Sequence, residues 1–216
     1  TLSSSSAASD VYKRQRQKKR KRVEKVMKLL EEYIRTYGEV PNDDVLKVDA
    51  FLNHQIDTRL MMQLAEDFKE HFKDQKITKI VTIETSGIAP CVFLGYLLHV
   101  PVVYMKKNPS KIMTDDCYHT NIHSFTKDRD YEIVISKKYI SSEDNVLFID
   151  DFMANGEACL GAIRVLKEAQ ATICGIGIVI EKAFQSGRKQ VQALGYDVYA
   201  QARIASLKNG TIVFAE

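Results

Sequence analysis

Apolar side chains recur at helical spacing from Val23 to Tyr37, with Val23, Val26, Met27, Leu30 and Ile34 on one face, and Gly38 then offers a left-handed stop. A second helix is predicted from about Asp57 to Phe72. Asp57 suits an N-cap, and Leu60, Met61, Leu64, Phe68 and Phe72 fall on one side. The stretch between, Pro41 to Asn53, is short and mixed, a strand and a loop. Beyond it the pattern changes. Short apolar runs at Lys79–Ile83, Val100–Met105, Ile133–Ser136, Asn145–Ile149 and Ala171–Ile180 predict strands. Helical patterns at Ile88–Leu98, Asn155–Ala169 and Arg188–Leu194 alternate with them, the last closed by Gly195.

Strand–helix alternation predicts an α/β fold, a mostly parallel twisted sheet with helices on both faces. Ligands of such sheets bind beyond the carboxyl ends of the strands. The residues to inspect are therefore Glu84–Gly87, Lys106 and Lys107, Asp150–Ala158, and Glu181 with Lys182. The polar stretch from Lys106 to Asp130 has little periodicity and reads as a long loop, a candidate lid.

Composition adds one domain's worth of core: 216 residues, 45% hydrophobic. No apolar run approaches the roughly 20 residues of a membrane span, and the first residues given lack the apolar stretch expected of a secretory signal. Cys91, Cys117, Cys159 and Cys174 are far apart, with no CxxC pair, so reduced thiols in a cytoplasmic protein are expected. The net charge of +3 is uneven. Residues 1–26 hold nine basic side chains against two acidic ones, which leaves the remainder four charges negative. A folded body of that sign argues against a nucleic-acid partner. The serine-rich and then basic tail, residues 1–26, has two readings: an arm for an anionic surface, or a disordered extension foreign to the fold. The second is expected, with the folded domain running from 27 to 216.

The segment that carries chemistry is Val146–Ala158. An apolar run ends in Asp150 and Asp151; a turn with Gly156 follows and opens a helix. Unpaired N–H groups at such a turn suit a phosphate, and paired carboxylates can accept hydrogen bonds from a vicinal diol. In isolation, two acids near a glycine would be solvated caps of a strand–turn–helix junction. The full order is rarer. It resembles the phosphoribosyl diphosphate (PRPP) signature of type I phosphoribosyltransferases. Leu46–Gln55, Thr82–Pro90, Ser124–Lys127 and Gly175–Phe184 are similar, more narrowly, to bacterial xanthine phosphoribosyltransferases, from about Met27 to the C-terminus.

The resemblance implies a type I phosphoribosyltransferase fold with a small N-terminal hood, mainly 27–57. It places the 5-phosphate of PRPP in Ala154, Asn155, Gly156, Glu157 and Ala158, and the ribose hydroxyls at Asp150 and Asp151. It gives the diphosphate to Thr85, Ser86 and Gly87, with Lys106 or Lys107 meeting its charge, Lys107 being preferred. It sets xanthine against Leu46, Asn53 and Lys182, the lysine facing an exocyclic oxygen; Phe184 is a stacking candidate or core. Mg²⁺ would travel with PRPP, held mostly by substrate oxygens and water. The resemblance also implies a homodimer.

One departure stands out. Related hypoxanthine-guanine enzymes carry an aspartate in the phosphate turn where this chain has Ala154, so no general base is assigned. Two other readings stay open: a PRPP-binding, purine-responsive regulator without catalysis, and a phosphoribosyltransferase for another base.

Overall fold

The computed structural model describes residues 26–107, 116–124 and 129–215. The basic tail expected to be foreign to the fold, residues 1–26, thus lies outside the described residues save Val26. Helix α1 (26–37) is followed by a hairpin of β1 (Glu39–Asn42) and β2 (Val45–Lys47), then a π-helical turn at Asp49–Asn53. Helix α2 (Thr58–His71) starts where expected, because Asp57 accepts hydrogen bonds from the main-chain N–H of Arg59 and Leu60 at 2.9 and 3.0 Å. Next come β3 (Lys79–Ile83), α3 (Ile88–Leu98), β4 (Val102–Lys107), β5 (Cys117–Ser124), β6 (Arg129–Ser136), β7 (Asn145–Met153), α4 (Glu157–Glu168), β8 (Thr172–Lys182), α5 (Gly187–Ala193), β9 (Tyr199–Ser206) and β10 (Val213–Phe214).

The large sheet has the order β10-β9-β8-β7-β3-β4-β6-β5. Its middle five strands are parallel, while β10, β6 and β5 join antiparallel at the edges. Alternate side chains of β7 serve opposite layers. Leu147 packs with Leu30, Phe51 and Phe68 under α1, the hood turn and α2, whereas Phe148 packs with Ile163, Leu166 and Val191 under α4 and α5. The expected α/β architecture is present.

The elements differ from the sequence reading in places that shape the site. The stretch Lys106–Asp130 is not one long loop: β5 lies inside it and β6 begins at Arg129. Residues 108–115 and 125–128 of that lid candidate lie outside the described residues. Strand β4 runs two residues further than expected, so Lys106 and Lys107 pair with Val134 and Ile133 instead of following the strand. Strand β7 continues to Met153, because β8 keeps pairing with it, Asp150 opposite Ile178 and Met153 opposite Glu181. The acid pair is therefore strand, not turn, and Lys182 is likewise the last residue of β8. Helix α4 begins at Glu157, two residues later than expected, because Gly156 has φ +89°. Strand β9 has no counterpart among the expected strands.

Candidate functional site

From β3 the chain steps outward to β4, and from β7 it steps the other way through β8 to β9. The strand order therefore reverses between β3 and β7, and the crevice at their carboxyl ends is where such a sheet takes a ligand. A cleft of about 790 Å³ opens there. Ala154, Asn155, Gly156, Glu157 and Ala158, the turn expected to take the 5-phosphate, line it, together with Lys182 from β8 and the hairpin turn Asn42–Val45.

The turn is shaped by sterics. With φ +89°, Gly156 sits in a conformation L side chains rarely adopt, and a Cβ there would stand 2.8 Å from Gly187 Cα. Leu160 N–H donates to the Gly156 carbonyl at 2.8 Å, so α4 starts at once from the turn and aims its N-terminus along the cleft wall. From Glu157 it is the main-chain N–H, not the carboxylate, that suits an anion.

Behind the turn lies the acid pair. Asp150 is only 6% exposed, and its Oδ1 accepts from the Asp151 N–H at 3.0 Å. Burial, and then the neighbouring Asp151 charge, push the Asp150 carboxyl well above the usual carboxylate range. Burial raises Asp151 as well, and Lys107 draws both down. The turn expected to take the diphosphate comes close to Asp150 at Gly87, although Asp150, Asp151, Thr85, Ser86, Gly87 and Lys107 are not part of the cleft lining. Gly87 is buried, and a Cβ on it would run into Thr82 Oγ1 and stand 3.1 Å from Asp150 Oδ1. Thr85 is exposed and Ser86 half-buried in the same turn, and the Glu84–Thr85 peptide is cis. Glu84 accepts from Lys107 N–H at 2.6 Å, which ties this turn to the end of β4. The Lys107 ammonium sits 5.3 Å from the ring centroid of Tyr131.

Lys182, which also lines the cleft, donates from Nζ to the Asp44 carbonyl at 2.5 Å, bridging the sheet to the hood. Burial holds its pKa below the ordinary lysine value, with Asp44 opposing. The remaining base-side candidates lie elsewhere: Leu46 is buried in the hood core, Asn53 is exposed at the end of the π-helical turn, and neither lines the cleft. Phe184 is 39% exposed and also outside its lining, whereas Phe152 is part of it.

The sequence reading did not single out Asn42–Val45, His123, Tyr131, Phe152 or Gln185, all of which line the cleft. For the hairpin turn a signal existed: Asn42 Oδ1 accepts from the N–H of Asp44 and Val45 at 3.0 and 2.9 Å, and Asn-Asp-Asp between short apolar runs marks such a turn. Gln185 and Phe152 carry no comparable mark.

Comparison with known proteins agrees with this geometry. The profile of the phosphoribosyl transferase domain matches residues 47–201. The chain is 54% identical over 190 residues to xanthine phosphoribosyltransferase 1 of Clostridium botulinum, covering 88% of this chain and 100% of that protein. It is 53% identical over 190 residues to the xanthine phosphoribosyltransferase of Listeria innocua, covering 88% and 99%. Among solved structures, adenine phosphoribosyltransferase of Rhodothermus marinus superposes with a TM-score of 0.68 at 22% identity, covering 83% of this chain and 99% of that one; that likeness concerns the fold alone. With a family profile running from the hood to β9 and relatives matched along nearly their whole length, the chain belongs to the phosphoribosyltransferase family.

Proposed function

We propose that this enzyme is a xanthine phosphoribosyltransferase of purine salvage, joining xanthine to PRPP to give xanthosine 5′-monophosphate and diphosphate. The observation that carries the reading is one cleft lined both by the turn Ala154–Ala158 and by Lys182. The first fits a 5-phosphate, and the second fits an oxo group on a purine. The curated relatives' names support xanthine as the base.

In this reading a purine nitrogen attacks the anomeric carbon, diphosphate leaves, and positive charge builds on the ribose ring. Amides of the turn and the α4 N-terminus hold the phosphate. Asp150 and Asp151 accept from the ribose hydroxyls and stand close to the developing positive charge. Burial raises both carboxyls, and a cationic ring beside them offsets that cost. Lys182, partly stripped of water, donates to a keto oxygen and disfavours the amino group of adenine. Thr85–Gly87 and Lys107 receive the diphosphate. Catalysis is positioning and electrostatics.

Among the described residues no group of three or more His, Cys, Asp or Glu side chains could hold a metal alone. The acid pair instead fits a Mg²⁺ carried by substrate oxygens and water. Bound there, the ion supplies charge neutralisation at the leaving diphosphate. A homodimer is part of the same reading: Tyr104 and Tyr139, 41% and 60% exposed, line an apolar groove with Val102, Val134 and Ile135. Cytoplasmic location belongs to it too; no described helix is long and apolar enough to cross a membrane.

The test is turnover of PRPP with xanthine, hypoxanthine, guanine and adenine in Mg²⁺, beside Lys182→Ala. Xanthine is expected to lead. Removing Lys182 should lower kcat/KM for xanthine roughly 10- to 100-fold, the loss of a charged hydrogen bond. Tight PRPP binding with no turnover of any base would move the reading to a PRPP-sensing regulator.

A further inference from the structure

The phosphate turn is held from behind by a second element. Gly187 N–H, at the start of α5, donates to the Ala154 carbonyl at 3.1 Å. Gln190 Nε2, one turn on, donates to the Asn155 carbonyl at 2.8 Å, and is itself steadied by Ser186 Oγ at 2.9 Å. The fit is tight: a Cβ on Gly187 would lie 2.5 Å from Ala154 O and 2.9 Å from Gly156 N. Helix α5 is in turn fixed to the sheet. Arg188 grips the buried Glu181 through Nε at 2.8 Å and Nη2 at 2.5 Å, and the Val198 carbonyl through Nη1 at 2.7 Å; Arg203 adds a further bond to Glu181 at 3.1 Å.

The peptides of this turn are trans, and a trans peptide points its C=O and the following N–H in opposite directions. Two successive carbonyls drawn back onto α5 therefore turn the N–H groups of Asn155 and Gly156 away from it, toward the cleft that both residues line. We infer that Gln190 is a positioning residue for the phosphate turn: its amide preorganises the main-chain donors that receive the 5-phosphate and so sets PRPP affinity without touching PRPP or the base. The inference rests on the reading of Ala154–Ala158 as the seat of that phosphate. Gln190 is its side-chain handle, because the Gly187 bond is main chain to main chain.

The experiment measures PRPP binding with Mg²⁺ by titration calorimetry without base, and steady-state kinetics with xanthine, for wild type, Gln190→Met, Gln190→Glu and the control Lys189→Ala. Gln190 and Lys189 are exposed, so all should fold, with unliganded Tm within about 2 °C of wild type. Gln190→Met should raise the PRPP Kd and KM about 5-fold, the loss of one neutral hydrogen bond. Gln190→Glu should raise them further, since it sets a carboxylate against a carbonyl. The KM for xanthine, kcat and the control should stay within about twofold. A PRPP Kd unchanged in both variants overturns the inference, and so does a joint shift of kcat, both KM values and Tm, which is general loosening. A wild type that binds PRPP but turns over no purine sinks the proposed activity alone, and the Kd values still judge Gln190. A wild type that does not bind PRPP sinks both.

Discussion

Asp150 shows what one residue gives up for the site. Its carboxyl is buried beside a second one, and its pKa lies above that of an unfolded aspartate, roughly 3.9. The native state therefore holds this proton more tightly than the unfolded chain does. The residue costs nothing below the unfolded pKa, and stability is lost as pH rises through the folded one. Asp150→Asn should raise the Tm of the ligand-free protein at neutral pH, by a margin that shrinks as pH falls toward 4, while sharply lowering kcat. Melting curves across that range check it, and a Tm below wild type at pH 7 would contradict the assignment. The pair itself was legible in the sequence, two acids ending an apolar run. Their place inside β7 was not, because a strand's end is set by its neighbour, and β8 goes on pairing past Ile149.

At the level of elements, the hood is tied to the chain's last segment as well as to Lys182. Asp43 Oδ1 accepts from Asn209 N–H at 3.1 Å, Arg35 reaches the Ile212 carbonyl at 3.4 Å, and its guanidinium lies 4.6 Å from the Phe214 ring centroid. Asp43→Ala frees the turn whose Asp44 carbonyl meets Lys182. The expected result is a xanthine KM about threefold higher with the PRPP KM unchanged, read from initial rates; equal rises in both would contradict it. Helices and central strands could be read from periodicity because each buries an apolar face. Strand β5 and the start of β6, Arg129–Glu132, could not. Their exposed face is built of polar cross-strand pairs, His119 with Glu132 at 2.7 Å and His123 with Asp130 at 2.8 Å, and only a few isoleucines, such as Ile122, Ile133 and Ile135, turn inward. Arg164 of α4 adds a tether, reaching Thr120 Oγ1 at 3.2 Å and the Asn121 carbonyl at 3.0 Å. A strand held by such pairs looks like a loop to any scan for hydrophobic alternation.

For the whole molecule, charge and catalysis separate. The basic excess sits in residues 1–26, while the site is built from residues of the mildly acidic remainder. Removing 1–25, which keeps the buried Val26 of α1, should leave kcat and both KM values within about twofold and turn a cation-exchange binder into an anion-exchange binder at pH 7. Retention and rates measured on both forms decide it; a fall in turnover would give the tail a part in the reaction. The reversal of strand order between β3 and β7 has a consequence in time. Lys79 pairs with Val146, so the two strands that flank the crevice meet only after the intervening chain has been made and its loop closed. Lys182, and Gln190 behind the phosphate turn, are translated later still. A growing chain on the ribosome thus owns no complete cleft until β8 and its Lys182 have been made, and PRPP can stabilise finished copies but cannot template half-made ones.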